Sequence, residues 1–105
     1  MNDVFDAVAD PVRRGLLHRL RTEGALSVTE LSAPLAISRQ ATTKHLDILV
    51  EAGLVRRERR GRERLHHLSA EPLVDLAAWL EPYRAAWDRR LERLAHHLDE
   101  GEDEA

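Results

Sequence analysis

Residues 37–55, ISRQATTKHLDILVEAGLV, hold the pattern that decides the fold. Ser38 suits an N-cap, because its hydroxyl can accept a hydrogen bond from one of the first free backbone N–H groups of a helix. Gly53 suits the other end, since it can take the left-handed conformation just past a helix and is followed by the apolar pair Leu54 and Val55. Between them Leu46, Leu49 and Val50, with Ala41 and Thr42 a turn earlier, form one face. Arg39, Gln40, Thr43, Lys44 and Asp47 fall on another. Arg, Gln, Thr and Lys are the side chains that bond base edges and phosphates in a major groove, so this stretch reads as a DNA-recognition helix.

Upstream, residues 3–8 predict a short helix with Val4, Phe5 and Val8 apolar. Asp10 as N-cap and Pro11 at the first helical position open a second, running to about Thr22 and ending near Gly24. It carries Val12, Leu16, Leu17 and Leu20 on one stripe and Arg13, Arg14, Arg19 and Arg21 mostly outside. Ser27, Val28, Thr29 and Glu30 make a capping box, in which Ser27 and Glu30 reciprocally satisfy backbone donors. The short helix they open carries Val28, Leu31 and Leu35. Pro34, Leu35, Ala36 and Ile37 then turn into the next helix, so residues of about 27–53 match a helix-turn-helix.

Downstream the period changes. Two extended runs flank a polar centre containing Gly61, which predicts a β-hairpin over about 54–68, a wing in this setting. Residues 56–64 hold six Arg and two Glu, so the tip is cationic and suited to phosphates or a narrow minor groove. A charge run is usually only a solvated surface, but this one directly follows the expected reader. From Glu71, helical spacing returns over about 71–100: Leu73, Leu76, Leu80, Tyr83, Trp87, Leu91, Leu94 and Leu98 recur at intervals of three or four. Pro82 is expected to kink this helix or divide it in two. With Trp79 as well, the seam is more apolar surface than a winged helix needs for itself, which points to self-association; packing onto its own domain is the alternative. Residues 101–105 read as a frayed acidic tail.

A chain of 105 residues with 43% hydrophobic content supports one domain with a modest core. The absence of cysteine excludes disulfides, thiolate metal sites and cysteine nucleophiles. The N-terminal segment MNDVFDAVADP has no basic-then-apolar pattern, and no run approaches the roughly 20 apolar residues of a membrane span, so no membrane partner and a cytoplasmic location are expected. The net charge of −3 divides unevenly: residues 1–70 hold twelve Lys+Arg against nine Asp+Glu, residues 71–105 four against ten. Because salt screens charges beyond about 10 Å, a basic footprint can act despite an acidic total.

Several segments carry a family resemblance: ADPVRRGLLHRL, SVTELSAPLAIS and KHLDILVEAGLVRRERRGRERLHHL. Together with the Trp-containing terminal segment WLEPYRAAWDRRLERL, they resemble the ArsR/SmtB family of winged-helix transcriptional repressors over essentially the whole chain, in a cysteine-free branch. The resemblance implies a homodimer whose terminal helices form much of the interface, with Val4, Phe5, Leu80, Tyr83, Trp87, Leu91, Leu94 and Leu98 contributing. It also implies two recognition helices in successive major grooves of an operator near the protein's own gene, released by an inducing signal whose identity the sequence does not give. Many members of that family sense metals. Here the thiolate motif at the start of the recognition helix is absent. The other familiar site has only its His97 and Glu100 half, because Arg84 and Ala86 stand where the Asp-x-His half would fall. No metal or cofactor is therefore expected.

The expected fold is mainly α with a small β-hairpin wing. The expected function is a dimeric, sequence-specific repressor on a palindromic operator of double-stranded DNA. Ser38, Arg39, Gln40, Thr43, Lys44 and His45 are the candidate DNA residues of the helix, with a structural or phosphate role for His45. Arg59, Arg60, Arg62 and Arg64 are those of the wing. The rivals are a winged-helix protein-interaction module and a metal-responsive repressor. An enzyme is disfavoured: there is no nucleophile elbow, glycine-rich phosphate loop or carboxylate pair, and His66, His67 and Glu63 are expected on an exposed wing.

Overall fold

The computed structural model describes the backbone of residues 3–103 and the side chains of residues 3–98. The winged helix-turn-helix architecture anticipated from the sequence is present. In order, the elements are α1 (Val4–Val8), α2 (Pro11–Glu23), β1 (Leu26–Ser27), α3 (Val28–Ser32), α4 (Arg39–Glu51), β2 (Val55–Arg60), β3 (Glu63–Leu68) and α5 (Glu71–Asp103). The chain forms two compact units, one up to Val74 and one from Asp75 onward.

The first unit is built on leucine. Leu16, Leu17 and Leu20 of α2, Leu31 of α3, Leu46 and Leu49 of α4, and Leu26, Leu54 and Val55 around the sheet form one buried cluster with Ala7. Each fully buried leucine contributes about 1.5–3 kcal/mol relative to exposure. Val4 also packs partly against this cluster, whereas Phe5 is half exposed.

Short helices need their ends satisfied, and here side chains do it. Ser27 and Glu30 form the reciprocal capping box at α3, with bonds of 3.2 and 3.1 Å. Asp10 caps α2 through the Arg13 N–H at 3.0 Å. Three of the four arginines of α2 turn out to be structural: Arg13 donates to the Ala7 and Asp6 carbonyls, Arg14 to that of Val8, and Arg19 to those of Glu30 and Leu31. They thus satisfy carbonyl groups of the two five-residue helices, which have too few turns to bond them internally. α3 stops at Ser32, so Leu35 packs on the core from the turn rather than from the helix.

At the end of α4, Gly53 takes φ 79°. The Leu54 N–H bonds the Leu49 carbonyl at 2.9 Å and the Gly53 N–H that of Val50 at 3.0 Å, a Schellman closure whose two leucines both enter the core. The chain is thereby turned directly into β2. β2 and β3 pair antiparallel from Val55↔Leu68 to Arg60↔Glu63. Gly61 has φ 64°, with no positive φ at Arg62, the pattern of a type II′ turn.

Three details differ from the sequence expectation. A third strand is present: β1 pairs with β3 at Leu26↔His66 and Ser27↔Leu65, giving the order β1-β3-β2. This corrects the reading of His66 as exposed. Strand alternation sets it on the same face as Val55 and Leu68, and it is buried. α5 runs through Pro82 without a break, so of the two expected outcomes the division into two helices does not occur. Proline removes one N–H bond and crowds the carbonyl four residues back, but Ala77, Ala78, Ala85 and Ala86 on either side are the strongest helix formers. α5 also extends to Asp103, three residues into the expected frayed tail; residues 104–105 lie outside the described part.

Within the second unit, α5 keeps its apolar residues in the open. Trp79, Leu80, Tyr83, Trp87, Leu91, Leu94 and Leu98 are each between 43% and 60% exposed. Trp79 and Tyr83 contact each other at 5.1 Å between ring centroids, and the Arg90 guanidinium lies 5.5 Å over the Trp87 ring. No helix among the described residues is long and apolar enough to cross a membrane.

Candidate nucleic-acid interface

α4 separates its faces as its sequence requires. Thr42, Leu46 and Leu49 are buried, while Arg39, Gln40, Thr43 and Lys44 are exposed together. Ser38 caps the helix by accepting the Ala41 N–H at 3.0 Å, so its hydroxyl serves the backbone. The Thr42 and Thr43 hydroxyls donate to the carbonyls of Ser38 and Arg39 at 3.0 and 2.9 Å. Thr43 retains acceptor capacity toward solvent. Arg39 and Lys44 make no ion pair with a described carboxylate.

His45 behaves differently from its neighbours. Its Nδ1 lies 3.2 Å from Arg13 and 3.9 Å from the Asp10 carboxylate, so the half-buried ring ties α4 to the start of α2. The backbone N–H of Arg13 holds Asp10 below the ordinary carboxylate range, and the charge of the Arg13 guanidinium acts in the same sense.

The wing extends the same surface. Arg59 and Arg64 face each other directly across the hairpin, and Arg60 faces Glu63. Arg60 lies 3.8 Å from Glu58, whereas Arg59, Arg62 and Arg64 have no ion-pair partner among the described residues. Like charges directly opposite in a ladder destabilise it, so an anion from outside is the natural complement. Arg62 and Arg64, with Glu63, meet Arg39 from the start of α4 and residues 27–29 around a concavity of about 270 Å³. The first residue of the helix and the tip of the hairpin thus line one surface.

A second group escaped sequence reasoning. Arg57 Nη2 donates to Asp47 Oδ1 of α4 at 2.5 Å, and its Nε to His66 Nε2 of β3 at 3.3 Å. His66 Nδ1 lies 3.0 Å from the Leu26 carbonyl of β1. Because arginine only donates, Nε2 must be unprotonated, and the ring is a neutral tautomer donating from Nδ1. Burial is the main cause that lowers the His66 pKa; the Arg57, Arg64 and His67 charges add, against the Leu26 bond. Asp47 was legible only as one polar residue of the α4 face, and Arg57 only as one of six wing arginines.

Among the described residues no three His, Asp or Glu side chains gather as a metal site. His97 is exposed on α5, and the side chain of Glu100 lies outside the described residues.

Comparisons with known proteins agree with this geometry. A family model described as a helix-turn-helix domain matches residues 8–58. An HTH-type transcriptional regulator of Mycobacterium tuberculosis is 36% identical over 100 residues, spanning 94% of this chain and 90% of that protein. The transcriptional repressor SdpR of Bacillus subtilis is 31% identical over 80 residues, spanning 76% and 88% respectively. The solved structure of an ArsR-like transcriptional regulator from Rhodococcus superposes with a TM-score of 0.67 at 37% identity, over 87% of this chain and 85% of that one.

Proposed function

Because this chain belongs to the ArsR family of winged helix-turn-helix transcriptional regulators, we propose that it is a dimeric repressor that reads a palindromic operator, with its own promoter as the first candidate target. Arg39, Gln40, Thr43 and Lys44 contact base edges or adjacent phosphates from the major groove. Arg59, Arg60, Arg62 and Arg64 hold the backbone, and Ser38 presents the helix N-terminus. His45 acts indirectly, by fixing α4 against α2. The observation that carries this reading is the surface shared by Arg39, Arg62 and Arg64, where three arginines stand against the single carboxylate of Glu63. Arg39 or Lys44 on a guanine is the most discriminating contact available, worth roughly 1–3 kcal/mol.

Two copies are required to read both halves of a palindrome. The exposed seam of α5, with Leu80, Tyr83, Trp87, Leu91, Leu94 and Leu98, is the surface we assign to pairing. On the winged body, the half-exposed Phe5 and the partly buried Val4 are assigned to the dimer interface on the family resemblance alone. The winged body reads and α5 assembles. In the dimer the two recognition helices enter grooves about one turn, ~34 Å, apart. Occupying the operator then blocks transcription sterically.

Footprinting on the DNA upstream of the gene, followed by gel shifts at several salt concentrations, tests this. A symmetric protected region and an affinity that falls steeply with salt are expected. Unchanged promoter affinity in a Lys44→Ala, Arg62→Ala double variant means that the DNA face is assigned wrongly. The absence of any salt-dependent promoter binding points instead to a protein-interaction module.

A further inference from the structure

The wing stands on a narrow base. β1 backs β3 only at Ser27 and Leu26, opposite Leu65 and His66. Beyond that point the hairpin has just two strands, and two-stranded ribbons alone are marginal in water. The contact between Arg57, Asp47 and His66 sits at this base, on the first of the two ladder pairs that β1 supports. On α4, Asp47 is one turn beyond Thr43 and Lys44, on the reading side of the helix.

We infer that Asp47, Arg57 and His66 form a tether that fixes the wing at a set position relative to α4, and that this position determines how well operator DNA is told from other DNA. The inference rests on the DNA-reading function above and adds a role for residues outside the contact surface. Specific binding needs helix and hairpin docked at once, each in register with the duplex. Non-specific binding needs only positive charge near phosphates. A wing free to swing retains its charge and loses its register. The geometry makes Arg57 a positioning residue: its guanidinium is spent on Asp47 and His66, and its side chain is only 22% exposed. His66 supplies an acceptor held in place by its own bond to Leu26. Asp47 is satisfied by Arg57 and leaves Lys44 without an ion pair among the described residues.

The test compares affinity for the footprinted operator with affinity for scrambled DNA of equal length, at fixed salt, for wild type, Asp47→Asn, Arg57→Gln and the double variant. The tether predicts that each single change lowers the operator-to-scrambled ratio about tenfold, the scale of one charge-assisted hydrogen bond. The double variant should fall no further, because either change alone releases the wing. The slope of log affinity against log salt should be unchanged in Arg57→Gln. A slope reduced by roughly 0.9 per protomer makes Arg57 a phosphate contact and overturns the inference. So does a ratio that stays at the wild-type value, including the case in which Asp47→Asn tightens both DNAs equally through lost negative charge. Circular dichroism melts separate loss of register from loss of fold, and Arg57→Lys gives a second reading, since it keeps the charge but cannot reach Asp47 and His66 together. If wild type shows no preference for any upstream sequence, the DNA-reading function fails together with the tether. A wild-type preference that survives in the variants removes the tether alone.

Discussion

Replacing Leu91 with alanine puts the pairing surface to a quantitative test. Leu91 is 57% exposed on α5 and takes no part in the buried cluster of the winged body. Burying a whole leucine contributes about 1.5–3 kcal/mol, so covering the exposed half recovers roughly 1–1.5 kcal/mol. A two-fold dimer contains the residue twice, and truncation in both copies costs about 2–3 kcal/mol, or ~30- to 150-fold in the dimer dissociation constant. Equilibrium sedimentation over a dilution series measures that constant directly. Thermal melts at matched dimer occupancy should show the body intact, since a shifted dimer equilibrium by itself makes the melting temperature concentration-dependent. Affinity for a full operator should fall further than affinity for a half-site, which needs only one reader. A dissociation constant equal to that of wild type refutes the assignment of the α5 face, and a wild-type protein that is monomeric throughout the series refutes dimeric reading itself.

Two further outcomes follow from single residues. His66 refuses a proton that the unfolded chain accepts below about pH 6.5, so the unfolded state binds more protons under mildly acidic conditions and stability falls as pH falls. Urea melts between pH 7.5 and 5 should register this decline, and His66→Gln, with one donor and one acceptor arm but nothing to titrate, should flatten it; an equal decline in the variant removes His66 as the cause. Gly15 lies inside α2 with no atom beyond its chain neighbours and its own helix backbone within 4 Å of where a Cβ would stand, so Gly15→Ala should stabilise by ~0.5–1 kcal/mol in the same melts. Destabilisation would mean that α2 is not the helix described.

The residues that announce themselves in the sequence are those whose partners lie close along the chain. Ser27 with Glu30, Ser38 with Ala41 and Gly53 with Val50 act across three residues, so cap and stop chemistry could be read without coordinates. The arginines of the wing were legible because composition alone makes that segment cationic. Other features depend on distant pieces of chain. Asp47 meets Arg57 across ten residues and His66 meets Leu26 across forty, and neither spacing obeys a helical or strand period. β1, two residues long, exists as a strand only because β3 lies beside it. Pro82 marks a third case. The local rule allowed a kink or a division, and the surrounding alanines carry the helix across one missing bond without a division.

The opposition of Arg59 and Arg64 has a thermodynamic corollary. Two arginines opposite each other in the ladder weaken the free hairpin by up to about 1 kcal/mol, a cost relieved either by a phosphate or by dissolved counterions. Salt therefore pulls on the wing in two directions. Raising it quiets the repulsion and orders the unbound hairpin, slowing amide exchange there, while the same ions compete with the duplex and loosen the complex. DNA takes over the quieting that counterions had supplied, and the unbound wing is most restless under the dilute conditions in which the duplex grips it hardest.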